Sequence, residues 1–557
     1  HWQNWNSRCA DCHSTAVEKN YQAEANHYNT SFAEINVGCE SCHGPGGNHV
    51  AAGGKGHILN LHSRLAWHFA AGASIAHPVG EPPAHDLLDT CGGCHSRRDA
   101  IAPLQPDTAY HDQYDLALLD ASLYHTDGQI RDEVFVMGSF LQSKMHRAGV
   151  TCTDCHEPHS GQTRIQGNDL CAQCHLPSVF DTPKHHFHQQ GSAGAACVSC
   201  HMPEKTFMQV DGRRDHQFAV PHRGAPDSPS ACRQCHQGEL KFPDQVPERP
   251  GAFGLANHAL GRRDQKGLTQ AVQFAAEVAH PAIQRATIIN NLPQAFFINQ
   301  PQTSINKMPQ ALNHLTTWTK DPSPLVRRAA AELAGRMPFT TSRDLLKQLL
   351  TDPMKSVRNA AARSLATHRR EWPPADVAQF TQAVNDYRKS LALNADSPAT
   401  QTRTADLELS LGRAQQARAA YKKALALEPL FVPALLNLAD LERASGKEAA
   451  ATALLKKALQ FAPDSSAVNF SYGLSLVRRK QPIIAALQHF AAAVQQANAP
   501  PRYAYVYAVA LDSNGQTQAA LEELHKALQQ WPEETDLLQL QSLYQKKLAK
   551  AEEGADN

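Results

Sequence analysis

One short motif constrains this 557-residue chain more than any other feature, because every cysteine belongs to a Cys-x-x-Cys-His unit. The 14 cysteines form seven such units, numbered here as motifs 1 to 7 in chain order, and none is left over. The cysteine pairs are Cys9 and Cys12, Cys39 and Cys42, Cys91 and Cys94, Cys152 and Cys155, Cys171 and Cys174, Cys197 and Cys200, and Cys232 and Cys235. The histidines that complete the motifs are His13, His43, His95, His156, His175, His201 and His236.

This spacing is typical of covalent haem c attachment. Two thiols three positions apart on a helical turn face the same way, so both can form thioethers with one haem. The adjacent histidine then becomes the proximal iron ligand. Zinc ribbons combine cysteine pairs two by two, and disulfide frameworks do not require seven identical spacings. Thioredoxin-like redox pairs occur singly in a βαβ context. The sequence therefore predicts seven covalent haem c groups.

The histidine count predicts a second axial ligand for most of these irons. Residues 1–236 contain 24 of the 30 histidines, and 17 remain after the proximal ligands are removed. Bis-histidine ligation favours electron transfer over catalysis, without excluding one open iron. His186 represents a cluster that also contains His185 and His188, and a surface or propionate-binding role is the alternative for each candidate. The predicted distal ligands are His49, His146, His159, His186 and His216.

Charge and hydropathy limit the classes of partner. The 53 basic and 53 acidic residues balance, so the chain has no basic footprint for nucleic acid. No apolar run approaches the roughly 18 residues that a membrane helix needs. Haem c is attached outside the cytoplasm, which predicts a periplasmic or extracellular protein. The chain starts at His1 without a signal peptide, so we expect a processed or partial chain.

Haem density predicts a loop-rich first domain at residues 1–240. Seven haems in 236 residues is about one per 34, which leaves little room for a side-chain core. We expect short helices at the motifs, long loops and few strands, followed by a linker at 241–269. The predicted fold class is mostly α, with the haem domain followed by a helical solenoid.

Two kinds of repeat predict the solenoid. The segments Asp321-Pro-Ser-Pro-Leu-Val-Arg-Arg-Ala-Ala and Asp352-Pro-Met-Lys-Ser-Val-Arg-Asn-Ala-Ala predict HEAT-like repeats over 270–372. Gly412 and Gly446 are 34 residues apart, and this period predicts about four TPR repeats over 373–550. Ala417, Ala451, Ala485 and Ala520 are assigned to one register. Such arrays usually bind protein, so we expect a redox partner protein or self-assembly, with a purely structural scaffold as the alternative.

Several stretches resemble exported multihaem cytochromes c that end in TPR repeats. They include Cys9-Ala-Asp-Cys-His-Ser-Thr, Cys94-His-Ser-Arg-Arg, and Arg213-Arg-Asp ahead of His216. Members of this family usually carry a further N-terminal region with one more haem motif, so we expect either that the N-terminus is missing from this chain or that this member has seven haems. More distantly, the family resembles the hydroxylamine oxidoreductase and multihaem nitrite reductase group, whose haem arrangement includes one catalytic iron.

The favoured function is electron transfer along closely packed, mostly bis-histidine haems, and no catalytic residue is assigned. One alternative is an oxidoreductase that acts on a small nitrogen or sulfur compound at one open iron. Another is a subunit of an extracellular cytochrome filament.

Overall fold

The protein consists of a cysteine-rich half, residues 4–238, and a helical half, residues 250–555. The computed structural model describes residues 4–59, 61, 65–81, 87–225, 227–238, 241–248, 250–262, 264–296 and 309–555. Helices dominate and the strands are short, which confirms the predicted mostly α fold. Within the described residues, no helix is long and apolar enough to cross a membrane.

The cysteine-rich half is built from single helical turns and short hairpins. Its α-helices are Trp5–Arg8, Ala10–His13, Glu40–His43, Gly47–Ala51, Leu87–His95, Tyr110–Gln113, Met137–Phe140, Lys144–Arg147, Cys152–Cys155, Asp169–Ala172, Pro177–Phe180, Pro183–His186 and Cys197–His201, and its 3-10 turns are Ala193–Ala195 and Ala231–Gln234. Its antiparallel strand pairs are Tyr21–Gln22 with His27–Tyr28, Ala66–His68 with His77–Val79, Arg98–Ala100 with Tyr114–Leu116, His156–Glu157 with Gln162–Thr163, and Glu204–Phe207 with Asp211–Arg214.

The described residues of the helical half form an array of consecutive helices. Its members are α1 Ala252–Gly261, α2 Gln265–Ala276, α3 Ala282–Phe296, α4 Pro309–Trp318, α5 Pro324–Ala334, α6 Phe339–Leu349, α7 Lys355–Thr367, α8 Val377–Ala392, α9 Pro398–Ser410, α10 Ala414–Leu427, α11 Val432–Ala444, α12 Glu448–Phe461, α13 Ser466–Arg478, α14 Ile483–Val494, α15 Pro501–Ser513, α16 Thr517–Gln530 and α17 Thr535–Ala555. Single 3-10 turns, Arg369–Glu371 and Pro374–Asp376, connect α7 to α8.

The segment 241–269, predicted to be a linker, is not one. It contains α1, whose Phe253, Ala256 and Leu260 are buried at helical spacing in the main core. The prolines ahead of this helix suggest a loop, and a stripe only one helix long is a weak signal in the sequence. Tertiary packing therefore orders residues whose composition alone favours a linker.

The repeated Asp-Pro pair of the HEAT-like region ties equivalent helices of neighbouring repeats together. Asp321 accepts from the backbone N–H of Ser323 at 2.9 Å and from Arg285 of α3 at 2.6 Å. Asp352 makes the corresponding contacts, with the backbone N–H of Met354 at 2.9 Å and Arg327 of α5 at 2.6 Å. Asp321 thus links the start of α5 to α3, and Asp352 links the start of α7 to α5.

The TPR-like region forms four helix pairs, α9 to α16, with α17 packed at the end. Gly412, Gly446 and Gly515 lie in the turn of their pairs with φ near +78°, +76° and +79°, where a Cβ is disfavoured. Lys480 adopts a φ of 54° at the corresponding turn. The predicted register is wrong by one residue in the third repeat, because Ala486 rather than Ala485 is buried. Gly515 follows Lys480 by 35 residues instead of 34, and this extra residue in the third repeat explains the shift.

The two halves share one apolar core. Tyr124 and Phe140 of the cysteine-rich half belong to the same buried cluster as residues of α1 to α9. Polar contacts cross the same boundary. Arg328 of α5 pairs with Asp115, and the amide of Asn394 donates to the Ala100 carbonyl at 2.7 Å. The first part of the solenoid is therefore built against the cysteine-rich half.

Candidate haem-attachment sites

The motifs share one local backbone geometry. In at least five of them the histidine N–H donates to the carbonyl of the first cysteine, four residues earlier. These bonds join His13 to Cys9 at 3.0 Å, His43 to Cys39 at 2.9 Å, His175 to Cys171 at 2.9 Å, and His236 to Cys232 at 3.0 Å, and the His156 N–H makes the same bond to the Cys152 carbonyl. Positions i, i+3 and i+4 of a helical turn share one face, so both thiols and the imidazole face the same side. All 14 cysteines are free, as thioether formation requires.

Four of the seven motif histidines face a second imidazole. The ring centroids are 6.3 Å apart for His43 and His159, 6.4 Å for His156 and His216, 6.0 Å for His185 and His201, and 5.8 Å for His188 and His236. A metal binds each imidazole nitrogen at about 2.0 Å, and the distance from nitrogen to ring centre adds roughly 1 Å on each side. Two rings on opposite sides of one iron therefore have centroids about 6 Å apart, as these pairs do.

The protonation of these rings also suits iron binding. Nδ1 contacts a backbone carbonyl in His43 (Leu59, 3.0 Å), His201 (Ala219, 2.9 Å), His216 (Arg214, 2.9 Å) and His188 (His186, 2.5 Å). His159 Nδ1 contacts the Glu157 carboxylate at 3.0 Å. A carbonyl or carboxylate oxygen accepts, so each Nδ1 carries the proton and Nε2 keeps its lone pair for a metal. Burial lowers the pKa of His185 and of His216, which favours the neutral ligand form.

The structure brings two of the predicted distal ligands, His159 and His216, next to motif histidines. The choice of His186 is wrong. Its Nδ1 accepts from the His188 N–H at 3.2 Å, and its Nε2 donates to Gln190 at 3.2 Å. Both ring nitrogens are thus used within the loop, and the neighbouring His185 and His188 supply the pairs instead. Only their separation by three residues hinted at this in the sequence.

The other two distal candidates, His49 and His146, stay predictions. His49 Nδ1 donates to the Gly56 carbonyl at 2.6 Å, which leaves its Nε2 as the basic nitrogen. The His146 ring packs edge-on against Phe140, with centroids 5.4 Å apart.

Contacts between motifs place the attachment sites in a continuous series. The Cys12 thiol lies 3.8 Å from the Cys94 carbonyl, which joins motifs 1 and 3. A hydrogen bond between the Cys91 and Cys152 thiols raises the pKa of Cys91 and joins motifs 3 and 4. A hydrogen bond between the Cys171 and Cys197 thiols raises the pKa of Cys171 and joins motifs 5 and 6.

Weaker neighbours complete this series. Gln173 of motif 5 donates to the Asp154 carbonyl of motif 4 at 3.5 Å. Burial raises the pKa of Cys200 in motif 6 most, and the nearby thiols of motif 7 raise this pKa further. Cys42 of motif 2 lies close enough to add to the raised pKa of Cys91 in motif 3. The attachment sites therefore neighbour one another in the order 3, 4, 5, 6, 7, with motifs 1 and 2 both beside motif 3.

Many apolar side chains of the cysteine-rich half are exposed. Its buried apolar residues concentrate between residues 87 and 140. In the same half other apolar side chains are exposed, and exposed apolar side chains mark a binding surface where they form a contiguous patch. These are Phe32, Ile35, Val37, Val50, Ile58, Phe69, Ile75, Val79, Leu104, Ile165, Val179, Phe187, Met208, Val210 and Val220. Together with the paired imidazoles, they are the residue types that would cover a haem.

Family comparisons agree with this geometry. The cytochrome c554 and c-prime family matches residues 2–44, and the doubled CXXCH motif matches 146–179. HEAT repeats match 312–395 and a tetratricopeptide repeat matches 408–469. The HEAT match extends past the predicted boundary at residue 372 and includes α8.

Among solved structures, the crystal structure of MamA is 22% identical, with 27% of this chain and 88% of that chain covered and a TM-score of 0.24. The crystal structure of yeast Tom70 is 14% identical over 54% and 66% of the two chains, with a TM-score of 0.36. No curated protein matches this chain. The relation to hydroxylamine oxidoreductases stays a prediction. The family matches indicate covalently bound haem c, and parts of the chain match models of cytochrome c, HEAT repeats and TPR repeats.

Proposed function

We propose that this protein is an exported heptahaem cytochrome c that transfers electrons along a series of mostly bis-histidine haems. The observation that carries the proposal is the set of four imidazole pairs, 5.8 to 6.4 Å apart. In five of their eight rings Nδ1–H donates to a carbonyl or carboxylate oxygen, so the Nε2 lone pair of each of these rings is available to bind iron.

The chain's own residues hold and saturate the cofactor. Each motif offers two thiols for thioether bonds, and its histidine lies on the same face of the turn. Haem c, when bound, supplies an iron that gains and loses one electron. With haem bound, the imidazoles of His159, His185, His188 and His216 would be the second histidine ligands of these irons and would leave no position there for a substrate. This arrangement favours electron transfer over chemistry at four of the seven sites.

The order of neighbouring motifs supports a path through the protein. Motifs 3 to 7 follow one another both in sequence and in space, and motifs 1 and 2 meet motif 3. Electrons would enter or leave near motifs 1 and 2 at one end and near motif 7 at the other. Cys39 of motif 2 and Cys235 of motif 7 are the exposed cysteines, which supports these two ends as contact points for redox partners.

The solenoid has two roles in this proposal. Helices α1 to α9 share the core of the cysteine-rich half and keep its loops in place. The later TPR-like pairs extend beyond this core and are available to bind protein, as such repeats commonly do. Because haem c is attached outside the cytoplasm, the proposal includes a periplasmic or extracellular location.

Spin-state spectroscopy of the purified ferric holoprotein tests the proposal. We expect a predominantly low-spin spectrum that is unchanged by added cyanide or nitric oxide, followed by full reduction with dithionite. A large high-spin fraction that binds these ligands would contradict electron transfer as the main function. It would favour the alternative of an oxidoreductase with an open iron.

A further inference from the structure

Four lysines form a ridge on the second helices of the first two TPR-like pairs. Lys422 and Lys423 lie on α10, and Lys456 and Lys457 lie 34 residues later on α12. The two pairs therefore occupy the same position in consecutive repeats, and all four side chains are exposed. We call these four residues the lysine ridge.

One end of the lysine ridge already binds an acidic surface within the same chain. Lys423 pairs with Glu24 at 3.1 Å, in the hairpin between motifs 1 and 2. Two contacts to Asp396, from Lys19 and from the Tyr28 hydroxyl, each at 3.1 Å, hold the same hairpin. The lobe that carries motifs 1 and 2, residues 4–59, therefore sits at the beginning of the ridge.

The rest of the lysine ridge is not neutralised. Within the described part of the chain, no hydrogen bond or ion pair engages Lys422, Lys456 or Lys457. Other basic residues of these repeats do have partners, such as Arg418 with Glu442 at 2.6 Å. Phe461, one turn after Lys457, is 56% exposed. The ridge thus continues as a basic surface with an apolar residue at its edge, which suits protein docking.

The complementary surface is present on the same chain. Residues 1–236 contain 24 acidic and 16 basic side chains, and residues 398–480 contain seven acidic and 12 basic ones. In the lobe, Glu18 and Glu34 are exposed. Haem propionates would add further negative charge there. We infer that the lysine ridge docks the acidic motif 1 and 2 lobe of a second copy of this chain. This inference depends on charge and placement, and goes beyond the proposed electron-transfer function.

Such a contact would bring the motif 1 and 2 lobes of two molecules together. The motif 1 and 2 lobe of the same chain contacts Lys423, and the lobe of the second molecule would contact Lys456 and Lys457 of the next repeat. Because the ridge and the lobe are different surfaces, the contact either closes as a reciprocal dimer or continues from copy to copy. Its strength must fall with added salt, since exposed charges are screened within about 8 Å at physiological ionic strength.

Sedimentation velocity of the holoprotein at low and high salt tests the inference. We expect self-association at low salt that dissociates at high salt. The variant Lys422→Glu, Lys456→Glu, Lys457→Glu should weaken association by at least about tenfold, because the charge of the ridge is reversed. The control variant Lys320→Glu, Lys546→Glu, Lys550→Glu carries the same charge change at other exposed positions and should associate like the wild type.

A charge exchange separates the inference from a general effect of net charge. The lobe variant Glu18→Lys, Glu34→Lys should also fail to self-associate, while a mixture of the ridge and lobe variants should form the complex again. A wild-type protein that stays monomeric at low salt would overturn the inference, as would equal loss of association in the ridge and control variants. Haem content, measured in every variant, verifies that the cysteine-rich half is intact.

Discussion

Replacing His159 by alanine removes one half of a single imidazole pair. His159 faces His43 across 6.3 Å, and its side chain is 81% exposed. The predicted effect is electronic. The motif 2 iron would lose its sixth ligand, so one haem in seven, about 14% of the total, would become high-spin.

The assay is the high-spin fraction of the ferric protein, quantified by electron paramagnetic resonance and by optical spectroscopy. His186→Ala is the matched control, because His186 lies in the same half but uses both ring nitrogens within its loop. This control should remain as low-spin as the wild type. Added imidazole should fill the vacated position in His159→Ala and restore the low-spin spectrum. An unchanged spectrum in His159→Ala, or an equal change in His186→Ala, would refute the assignment of the pair.

Four further substitutions probe the packing around motif 3. Arg328→Met removes a buried cation that pairs with Asp115 and donates to the Leu116 carbonyl at 2.8 Å. In denaturant titrations the unfolding free energy should fall by about 3 kcal/mol. A loss below about 1 kcal/mol would show that this contact contributes little to holding the two halves together. Gly92→Ala places a Cβ 2.6 Å from the Met137 sulfur and 2.9 Å from the Tyr110 ring, so we expect the unfolding free energy to fall by about 1–3 kcal/mol. Gly93→Ala should cost less, because its Cβ meets its nearest atom at 3.3 Å. Equal losses in the two variants would contradict the packing argument. Burial, helped by Arg328 and Arg327, lowers the pKa of His111 from 6.5 to about 3. The stability contributed by the neutral ring is therefore complete above pH 6.5 and falls towards pH 3 by up to about 1.4 kcal/mol per pH unit. His111→Gln should flatten the pH dependence of the unfolding free energy between these values, and an unchanged slope would disprove the low pKa of His111.

The sequence predicts local features of the sites well. Two thiols and a histidine within five residues define their own geometry, because a single helical turn brings them to one face. The solenoid follows for a similar reason, since Gly412 and Gly446 mark turns that recur within each repeat. These predictions need no knowledge of the rest of the chain.

Features that depend on distant parts of the chain were not predicted. His185 and His186 are adjacent and chemically identical, and the structure shows that His185 faces His201, which lies 16 residues further along the chain. The tie between Arg328 and Asp115 joins residues 213 positions apart. Helix α1 was missed because its burial depends on the packing of both halves.

Covalent haem at all seven motifs is the central claim, and the intact mass of the exported protein tests it most directly. Under denaturing conditions thioether-bound haem stays on the chain, whereas non-covalent ligands dissociate. We predict the 60.9 kDa polypeptide plus the mass of seven haems in one dominant species, with peptides that carry haem at each of the seven motifs. A mass that matches the bare polypeptide, or one that accounts for fewer than seven haems, would contradict the account.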